Sequence, residues 1–455
     1  MSEYTDKHTG TGLIKNCEVD GRLVDVRFGQ SILAMGDLVA GADESVVDGQ
    51  GNALLPGLHD QHIHLRALAA HRSSISLAAD EVVDPATMRS RLSSVSGEGW
   101  LRCVDYHESS LGELKASDLD FISRPVRVQH RSGKLWVLNS VAMDLLAVQE
   151  AEHPGVERDS AGQPTGRLFR MDDWLAAKLP AQDQASELRS TVQELLSLGI
   201  TEITDASYTN RGSDELALRE QCHPLRVNCM GVDTSKARKI MLDEDALPDF
   251  AELVSEIERE HARDRGVAFH CVSRTELVYL IGVLRAAGSH VGDRIEHGGV
   301  IPVELIADIR QLGCAVVTQP GFVASKGDAY IANVPEVEHQ DLYRYETLRQ
   351  AEIPVIASSD APYGPVNPWR IVASAMDRLT TKGEVLGQTE RTSAEAALSG
   401  YLRADPKGDL RSLEVGERAD FCLLDRTWAQ AKNNLAKVAV LGTWIDGERV
   451  FDLES

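Results

Sequence analysis

Three features that mark special classes of protein are missing from this sequence of 455 residues. Residues 1–16 contain no basic segment followed by an apolar one, which predicts a protein without a secretory signal. No apolar run approaches the roughly 18 residues that a membrane-spanning helix needs. We see no internal repeat and no low-complexity segment. These absences predict an ordinary globular protein of the cytoplasm.

Positive charge is also scarce, because 47 lysines and arginines face 70 aspartates and glutamates, for a formal net charge of −23. Nucleic acids and anionic membranes attract basic surfaces, so the sequence predicts that neither is a partner. The seven cysteines show no CxxC spacing. This pattern indicates reduced thiols rather than disulfides or a cysteine metal site.

The most informative segment that is present reads LLPGLHDQHIHL, at residues 54–65. An apolar strand candidate enters a Pro-Gly step and leads to His62 and His64. On a strand, side chains two residues apart point the same way, so both imidazoles can reach one metal ion. The histidine pair alone is a weak signal, and its context strengthens it.

Four further residues with suitable chemistry lie at the ends of apolar strand candidates. Neutral imidazoles and carboxylates bind divalent ions. Cys271 follows one of these histidines, but strand alternation turns it away, so we expect it to pack in the core. The four candidates are Lys239, His270, His297 and Asp360.

With these residues the sequence resembles the amidohydrolase superfamily, metal hydrolases built on a distorted TIM barrel. It looks closest to the branch related to N-substituted formamide deformylases, and it is also similar to hydrolases of phenylurea and thiocarbamate herbicides. The resemblance runs from about Leu54 to Trp369. The matching phrases are LLPGLHDQHIHL, HRSGKLWVLNS, LGITEITDA, VAFHC, DRIEHGGV, VVTQPGF and SSDAPYGPVNPW.

The resemblance implies one or two divalent metal ions, with zinc favoured and cobalt, manganese or iron as alternatives. One ion would be held by His62, His64, His270 and Asp360. In many relatives a lysine carboxylated by CO₂ bridges to a second ion, and Lys239 matches that position, with His297 completing the set. A basic cluster of Lys236, Arg238 and Lys239 would otherwise be a solvated face.

The resemblance also implies that Asp360 acts as both base and acid during hydrolysis. The alternative for Asp360 is a helix N-cap before Pro362. Asp60 and Glu296 neighbour the ligands and could orient imidazole N–H groups, although surface or turn roles are equally open.

The middle of the chain alternates strands with amphipathic helices, which predicts an α/β fold with a parallel sheet. The strand candidates are Leu54–Asp60, Thr201–Asp205, Leu225–Met230, Arg238–Leu242, Val267–His270, Arg294–His297, Ala315–Gln319 and Pro354–Ser359. The helix candidates are Ala251–Asp264, Thr275–Ala287, Val303–Leu312 and Leu342–Ala351.

Eight strands suit a distorted TIM (β/α)8 barrel. We predict a barrel over residues 54–400, with an insertion at about 66–197 that covers the site. Strands near both termini predict a small composite β-domain from residues 1–53 and 401–455, with a hairpin at Asp446-Gly447.

Candidate substrate-binding residues come from two places. Loops after the strands supply Phe322 and Tyr363, and the insertion supplies Lys134, Trp136 and Arg170. Lys134 departs from the family, whose relatives usually carry histidine there. Further candidates, each of which could equally be a core or surface residue, are Arg167, Phe169, Trp174 and Trp369.

These features predict a hydrolase of N-substituted amides, ureas or (thio)carbamates, with a small, neutral, apolar substrate. One alternative is deamination of a nucleobase-like ring, but His270 is followed by CVSRTE, which lacks the glutamate arrangement of deaminase relatives. Another alternative is a non-catalytic binding barrel. Relatives also suggest a homo-oligomer.

Overall fold

The structure is a computed structural model that describes residues 11–79, 81–179 and 185–453. The chain divides into two compact units, of which one comprises Arg66–Glu187 and the other comprises the residues before and after it. Within the described ranges, no helix has the length and apolarity that crossing a membrane requires.

The strands are numbered in chain order. They are β1 (Gly12–Val19), β2 (Arg22–Phe28), β3 (Ile32–Gly36), β4 (Ser45–Asp48), β5 (Leu54–Pro56), β6 (Leu58–Ile63), β7 (Ile75–Ser76), β8 (Leu101–Tyr106), β9 (Val126–His130), β10 (Leu135–Leu138), β11 (Val156–Arg158), β12 (Pro164–Phe169), β13 (Ile200–Asp205), β14 (Arg226–Cys229), β15 (Arg238–Met241), β16 (Val267–Cys271), β17 (Arg294–His297), β18 (Ala315–Thr318), β19 (Val355–Ala357), β20 (Phe421–Leu424), β21 (Val440–Ile445) and β22 (Glu448–Asp452).

The α-helices are numbered in the same way. They are α1 (Leu65–Arg72), α2 (Pro85–Ser93), α3 (Glu108–Leu111), α4 (Ala116–Leu119), α5 (Ser140–Leu146), α6 (Asp172–Lys178), α7 (Ala185–Ser197), α8 (Gly212–Gln221), α9 (Phe250–His261), α10 (Arg274–Ala287), α11 (Ile306–Leu312), α12 (Gly321–Asn333), α13 (Glu346–Gln350), α14 (Pro368–Asp377), α15 (Ala394–Tyr401) and α16 (Trp428–Lys432).

Two parallel sheets carry the candidate ligands. A three-stranded sheet has the order β14-β13-β6, and a five-stranded sheet has the order β15-β16-β17-β18-β19. An isolated parallel bridge joins Gly231 after β14 to Arg238 on β15. Beyond β19, the Asp360 amide donates to the His62 carbonyl at 2.8 Å, at the end of β6. The α/β class with parallel strands is therefore confirmed, and each predicted parallel strand is present.

The strand predicted as Leu54–Asp60 is in fact two strands, β5 and β6, separated by Gly57. β5 pairs antiparallel with β20, whereas β6 pairs in parallel with β13. A Cβ at Gly57 would lie 2.3 Å from Thr201 Oγ1, so only glycine fits this change of partner. Because β6 continues to Ile63, His62 lies within the strand and His64 lies just beyond it.

Segments from the two ends of the chain share one core. The sheets have the orders β3-β2-β1-β4 and β22-β21-β20-β5. Phe28 packs edge-on against Phe421, with ring centroids 5.0 Å apart. The predicted hairpin is confirmed, since Ile445 pairs with Glu448 around Asp446-Gly447, both at positive φ. The predicted domain boundaries stay a prediction.

The Arg66–Glu187 unit contains a six-stranded sheet of order β11-β12-β10-β9-β8-β7. Its core includes Leu101 and Cys103 on β8 and Val126 and Val128 on the neighbouring β9, two residues apart on each strand. Alternating buried residues are typical of strands with one face on a core.

The helix predicted over Leu342–Ala351 is wrong in its first half, because α13 covers only Glu346–Gln350. Tyr343 has a φ of 46°, outside the helical region. The buried Arg378 donates to the carbonyls of Leu342 and Tyr343, at 2.8 Å each. These bonds hold the segment as an ordered loop.

Candidate active site

Three of the predicted ligands converge at the carboxyl ends of β6 and β19. Asp360 Oδ1 lies 3.3 Å from His62 Nε2 and 3.2 Å from His64 Nε2. Their potential ligand atoms all lie within 4.8 Å of one another. Asp360 has a φ of 52°, a conformation that aspartate adopts more readily than most residues. This local backbone directs the carboxylate toward the two imidazoles.

His270 and His297 lie beside this group. The ring of His297 is 4.9 Å from that of His62 and 4.6 Å from that of His270, measured between centroids. His297, like Asp360, has a positive φ, at 71°. The structure therefore brings all five predicted histidine and aspartate positions together.

Lys239 on β15 is buried, with 2% of its surface exposed. Among the described residues its Nζ has no hydrogen-bond partner. Burial lowers the pKa of Lys239 to about 8. The interpretation of this basic cluster as a solvated face is wrong for Lys239, whereas Lys236 and Arg238 form ion pairs with Asp405 and Glu256.

The electrostatics favour neutral imidazoles at His270 and His297 beside an ionised Asp360 carboxylate. At His62, burial and Lys239 act to lower the pKa, but the Glu296 and Asp360 carboxylates outweigh them and raise it. Burial lowers the pKa of His297 to about 3 and holds the pKa of His270 well below its usual value. Burial alone would raise the pKa of Asp360, but the contacts with His62 and His64 outweigh it and hold that pKa well below its usual range. Neutral imidazole and carboxylate are the forms that bind divalent cations.

Glu296 orients His62, as one of the sequence hypotheses held. The buried Glu296 carboxylate accepts a hydrogen bond from His62 Nδ1, which leaves Nε2 facing Asp360. Arg294 donates to Glu296 Oε2 at 3.1 Å and to the Gln61 carbonyl at 2.8 Å. The structure thus ties the strand carrying His62 to the strand carrying His297.

Asp60 has a different role from the one proposed for it. Its Oδ1 accepts from the backbone amides of His62 and Ser359, both at 3.2 Å. Asp60 therefore connects the backbone of β6 to the segment after β19. Of Asp60 and Glu296, only Glu296 bonds to the imidazole of His62.

A family comparison agrees with this geometry. The model of the amidohydrolase family matches residues 45–451. The chain belongs to the amidohydrolase family. It is 24% identical over 490 aligned residues to an N-substituted formamide deformylase from Arthrobacter pascens, and the alignment covers 90% of each protein. The resemblance inferred from the motifs is confirmed.

Solved structures share the fold. An uncharacterised metal-dependent hydrolase from Pyrococcus horikoshii OT3 aligns with a TM-score of 0.74 at 20% identity, covering 92% of this chain and 98% of that one. A 5-methylcytosine deaminase from Klebsiella pneumoniae aligns with a TM-score of 0.56 at 13% identity, covering 97% and 98%. At these identities the likeness shows the fold alone.

Two residues that hydrogen-bond to candidate ligands in this amidohydrolase were missed by the sequence analysis. Gln319 Oε1 accepts from His297 Nδ1 at 2.9 Å, and its amide nitrogen donates to Ser358 Oγ at 3.0 Å. Ser207 Oγ lies 3.1 Å from His64 Nδ1. Gln319 directly follows β18, as the ligands follow their strands, and this position was the available signal.

We expect Gln319→Leu to weaken metal binding by roughly 10- to 100-fold, because His297 would lose the partner that fixes its tautomer and ring orientation. Competition with a chromophoric chelator measures this affinity. Gln350→Leu, on the exposed surface of α13, is the matched control and should leave affinity unchanged. Equal affinities for the two variants would contradict the orienting role.

Two predicted substrate-binding residues lie near the candidate ligands. The ring of Tyr363 meets that of His64 edge-on, with centroids 5.5 Å apart. Phe322, near the start of α12, packs in one apolar cluster with Tyr363. Trp369 is instead a core residue of α14, where its indole donates to the Leu198 carbonyl at 3.2 Å.

The other three predicted substrate-binding residues belong to the Arg66–Glu187 unit. Trp136 is buried in its core and donates to Asp172 at 2.8 Å, whereas Lys134 and Arg170 are exposed. Their role in substrate binding stays a prediction. Other candidates there have local partners or surface positions: Arg167 is buried with an ion pair to Glu157, Trp174 packs against the core and Phe169 is 39% exposed.

The alternative role for Asp360 as a helix N-cap is wrong. The next helix, α14, begins at Pro368, and its N-cap is Asn367, whose side chain accepts from the Arg370 amide. Asp360 is free of any capping role there, which leaves its carboxylate for the imidazoles.

A second group of potential ligands, His107, Glu108 and His130, lies in the Arg66–Glu187 unit. Nδ1 of each histidine accepts a backbone N–H, from Ser109 and Ser132 respectively, at 3.1 Å. A neutral ring that accepts at Nδ1 carries its proton on Nε2, the atom facing Glu108. This arrangement suits hydrogen bonding to Glu108 and disfavours a metal ion.

A cavity of about 1490 Å³ lies away from the candidate ligands. It is lined by residues such as Phe28, Arg219, Arg226 and Trp444, from the terminal strands and the region of β14. None of the six predicted ligands lines it.

Proposed function

We propose that this amidohydrolase binds one or two divalent metal ions and hydrolyses the carbon–nitrogen bond of a small, neutral, N-substituted amide, urea or carbamate. One observation carries the proposal. Among the described residues, Lys239 Nζ is buried without a hydrogen-bond partner, and His62 Nε2 and Asp360 Oδ1 are buried 3.3 Å apart in a geometry that makes no hydrogen bond. Buried polar atoms without partners are costly, so a cluster of them fits a cation-binding group.

The donor set fits a divalent ion. His62, His64, His270 and Asp360 would hold one ion, and His297 with a modified Lys239 would help to hold a second. Nitrogen and carboxylate donors suit zinc, with cobalt, manganese and iron as alternatives. When bound, such an ion would supply Lewis acidity and lower the pKa of a coordinated water to about 7.

Asp360 would manage the proton in this hydrolysis. Its carboxylate takes a proton from the attacking water and passes it to the leaving nitrogen. The acyl carbon gains a bond to the water oxygen and loses its bond to nitrogen, so the products are an acid and an amine. None of the relatives reported above is named for cleaving carbon–sulfur bonds, and the proposal is confined to carbon–nitrogen bonds.

Lys239 would be carboxylated in the metal-loaded protein. A neutral amine attacks CO₂, forms an N–C bond and releases a proton, which gives a carbamate with two oxygen donors. The buried Nζ, which has no partner in the described part of the chain, supports this modification. A metal ion would hold the carbamate against loss of CO₂.

We also infer that the two parallel sheets form one distorted (β/α)8 barrel. The backbone bonds between Gly231 and the start of β15, and between Asp360 and the end of β6, support closure at both gaps. In such barrels the active site lies at the carboxyl ends of the strands, as the candidate ligands do here. Homo-oligomer formation and a cytoplasmic location stay predictions.

Deamination is disfavoured by one contact. The glutamate nearest after His270 is Glu276, and its Oε2 accepts from the backbone amides of Val272 and Ser273 at 2.6 and 3.0 Å. Glu276 and Ser273 form the capping box of α10. A carboxylate committed to this helix end cannot also move a substrate proton.

The proposed substrate class is tested by kcat/KM across phenylureas, carbamates, N-formyl amines, N-acyl amino acids and cytosine. We expect neutral N-substituted compounds to exceed charged N-acyl amino acids and cytosine by at least about tenfold, which corresponds to about 1.4 kcal/mol of transition-state binding. A preference of that size for N-acyl amino acids or cytosine would overturn the proposed substrate class.

A further inference from the structure

Four aromatic rings form a continuous cluster beside the candidate active site: Phe322, Tyr330, Tyr343 and Tyr363, which we name the aromatic cluster. Phe322 and Tyr343 pack edge-on at 5.5 Å, and Tyr330 and Tyr343 stack at 5.6 Å between centroids. Tyr363 continues the cluster to His64. Phe322 and Tyr343 are buried, whereas Tyr330 and Tyr363 are partly exposed. The cluster therefore extends to a candidate ligand through its partly exposed member Tyr363.

The cluster is built from the segments that follow the strands of the site. Val300 lies beyond β17, Phe322 lies beyond β18 and Tyr363 lies beyond β19, and all three belong to one apolar group. His297 ends β17, Gln319 directly follows β18, and Asp360 lies three residues beyond β19. The carboxyl ends of parallel strands are the edge at which such sheets bind ligands.

The rings are held in place by buried contacts. Arg378, with none of its surface exposed, fixes the backbone of Tyr343. The hydroxyls of Tyr330 and Tyr343 are 3.1 Å apart. A Cβ at Gly364 would lie 2.7 Å from Phe322 Cε1, so the backbone after Asp360 packs directly on this ring. Because these side chains are already fixed, the aromatic cluster loses little conformational entropy when it binds a flat group.

We infer that the aromatic cluster binds the apolar substituent on the leaving nitrogen of the substrate, and not the acyl part. This inference rests on the proposed function. The leaving nitrogen must come within hydrogen-bond reach of Asp360 to receive its proton. Tyr363 follows Asp360 by three residues, and its amide donates to the Asp360 carbonyl at 2.8 Å. A substituent on that nitrogen thus meets the cluster first.

The charge beside the cluster favours neutral amines. Lys326 Nζ lies 3.7 Å from the centroid of the Phe322 ring, a cation–π contact. A cationic substituent would compete with this ammonium group for the face of the Phe322 ring. The aromatic cluster therefore suits an uncharged aryl or branched alkyl substituent.

The test compares two substrate pairs in metal-loaded protein. N-phenylformamide and N-methylformamide differ only on the amine side, whereas N-methylbenzamide and N-methylacetamide differ only on the acyl side. Phe322→Leu should lower the phenyl-to-methyl ratio of kcat/KM by about three- to tenfold for the amine pair, the range that one aromatic contact supplies. The ratio for the acyl pair should stay within about twofold.

Control variants separate recognition from folding. Tyr363→Leu changes a partly exposed ring and should lower the same amine-side ratio even if Phe322→Leu is poorly folded. Tyr343→Phe keeps the ring and should preserve the ratio. Phe250→Leu, at the start of α9 and 45% exposed, should change neither ratio. Equal losses for both members of the amine pair, or a loss confined to the acyl pair, would overturn the inference.

Failure of the proposed function gives a different result. If the wild-type protein hydrolyses none of the four compounds, the reaction assignment is wrong. Calorimetric measurement of N-phenylformamide binding then still tests whether the aromatic cluster binds the phenyl group. Weaker binding by Phe322→Leu than by Phe250→Leu supports it. Equal affinities for these two variants would overturn it.

Discussion

Replacing Asp360 by asparagine is expected to lower kcat by roughly two to four orders of magnitude, the scale of general acid–base catalysis. Asparagine has nearly the same shape and keeps one oxygen that could bind a cation, but it cannot accept the proton of the attacking water. The protein should therefore keep much of its metal while losing turnover. Steady-state kinetics and elemental analysis of the same preparation measure both quantities.

The matched control is Asp308→Asn on α11, whose carboxylate pairs with Arg285 on a neighbouring helix. Ion pairs of this exposed kind contribute little to stability, so the control should keep wild-type kcat. Near-wild-type turnover in Asp360→Asn would contradict the role of Asp360 as base and acid. If that variant lost all of its metal, the main role of Asp360 would instead be that of a metal ligand.

Replacing Lys239 by alanine should remove both metal and activity. The side chain is buried among the candidate ligands, and alanine cannot form the bridging carbamate. A small carboxylic acid such as acetate fits the space that is left and offers two similar oxygen donors. Adding it should restore part of the bound metal and part of the activity.

Lys236→Ala is the control for this experiment, because Lys236 Nζ pairs at the surface with Asp405. It should keep wild-type metal content. A crystal structure of the metal-loaded protein with an unmodified Lys239 ammonium group would rule out the carbamate bridge. A single-ion site held by His62, His64, His270 and Asp360 would then remain.

The positions of the candidate ligands could be predicted because one physical rule places them. Each lies in the last two residues of an apolar strand or shortly beyond it, and parallel strands end at the same edge, so His62, His270, His297 and Asp360 had to lie near one another. Strand burial shows in the sequence as short apolar runs. The same rule applied to Gln319, whose residue type gave no sign of a functional role.

Other features depend on contacts that local patterns do not show. Gly57 separates β5 from β6 because Thr201, far along the chain, leaves no space for a side chain. The segment before α13 is a loop because the buried Arg378 bonds its carbonyls. Each of these is a long-range contact that competes with local propensity.

The metal requirement is the central claim, and one titration tests it most directly. Protein purified without chelators is analysed for metal, stripped with a chelator and assayed on an N-substituted formamide while zinc, cobalt, manganese or iron is added back. We predict one or two equivalents per chain, loss of activity on stripping and recovery that saturates at the same stoichiometry. Full activity in stripped, metal-free protein would contradict the account.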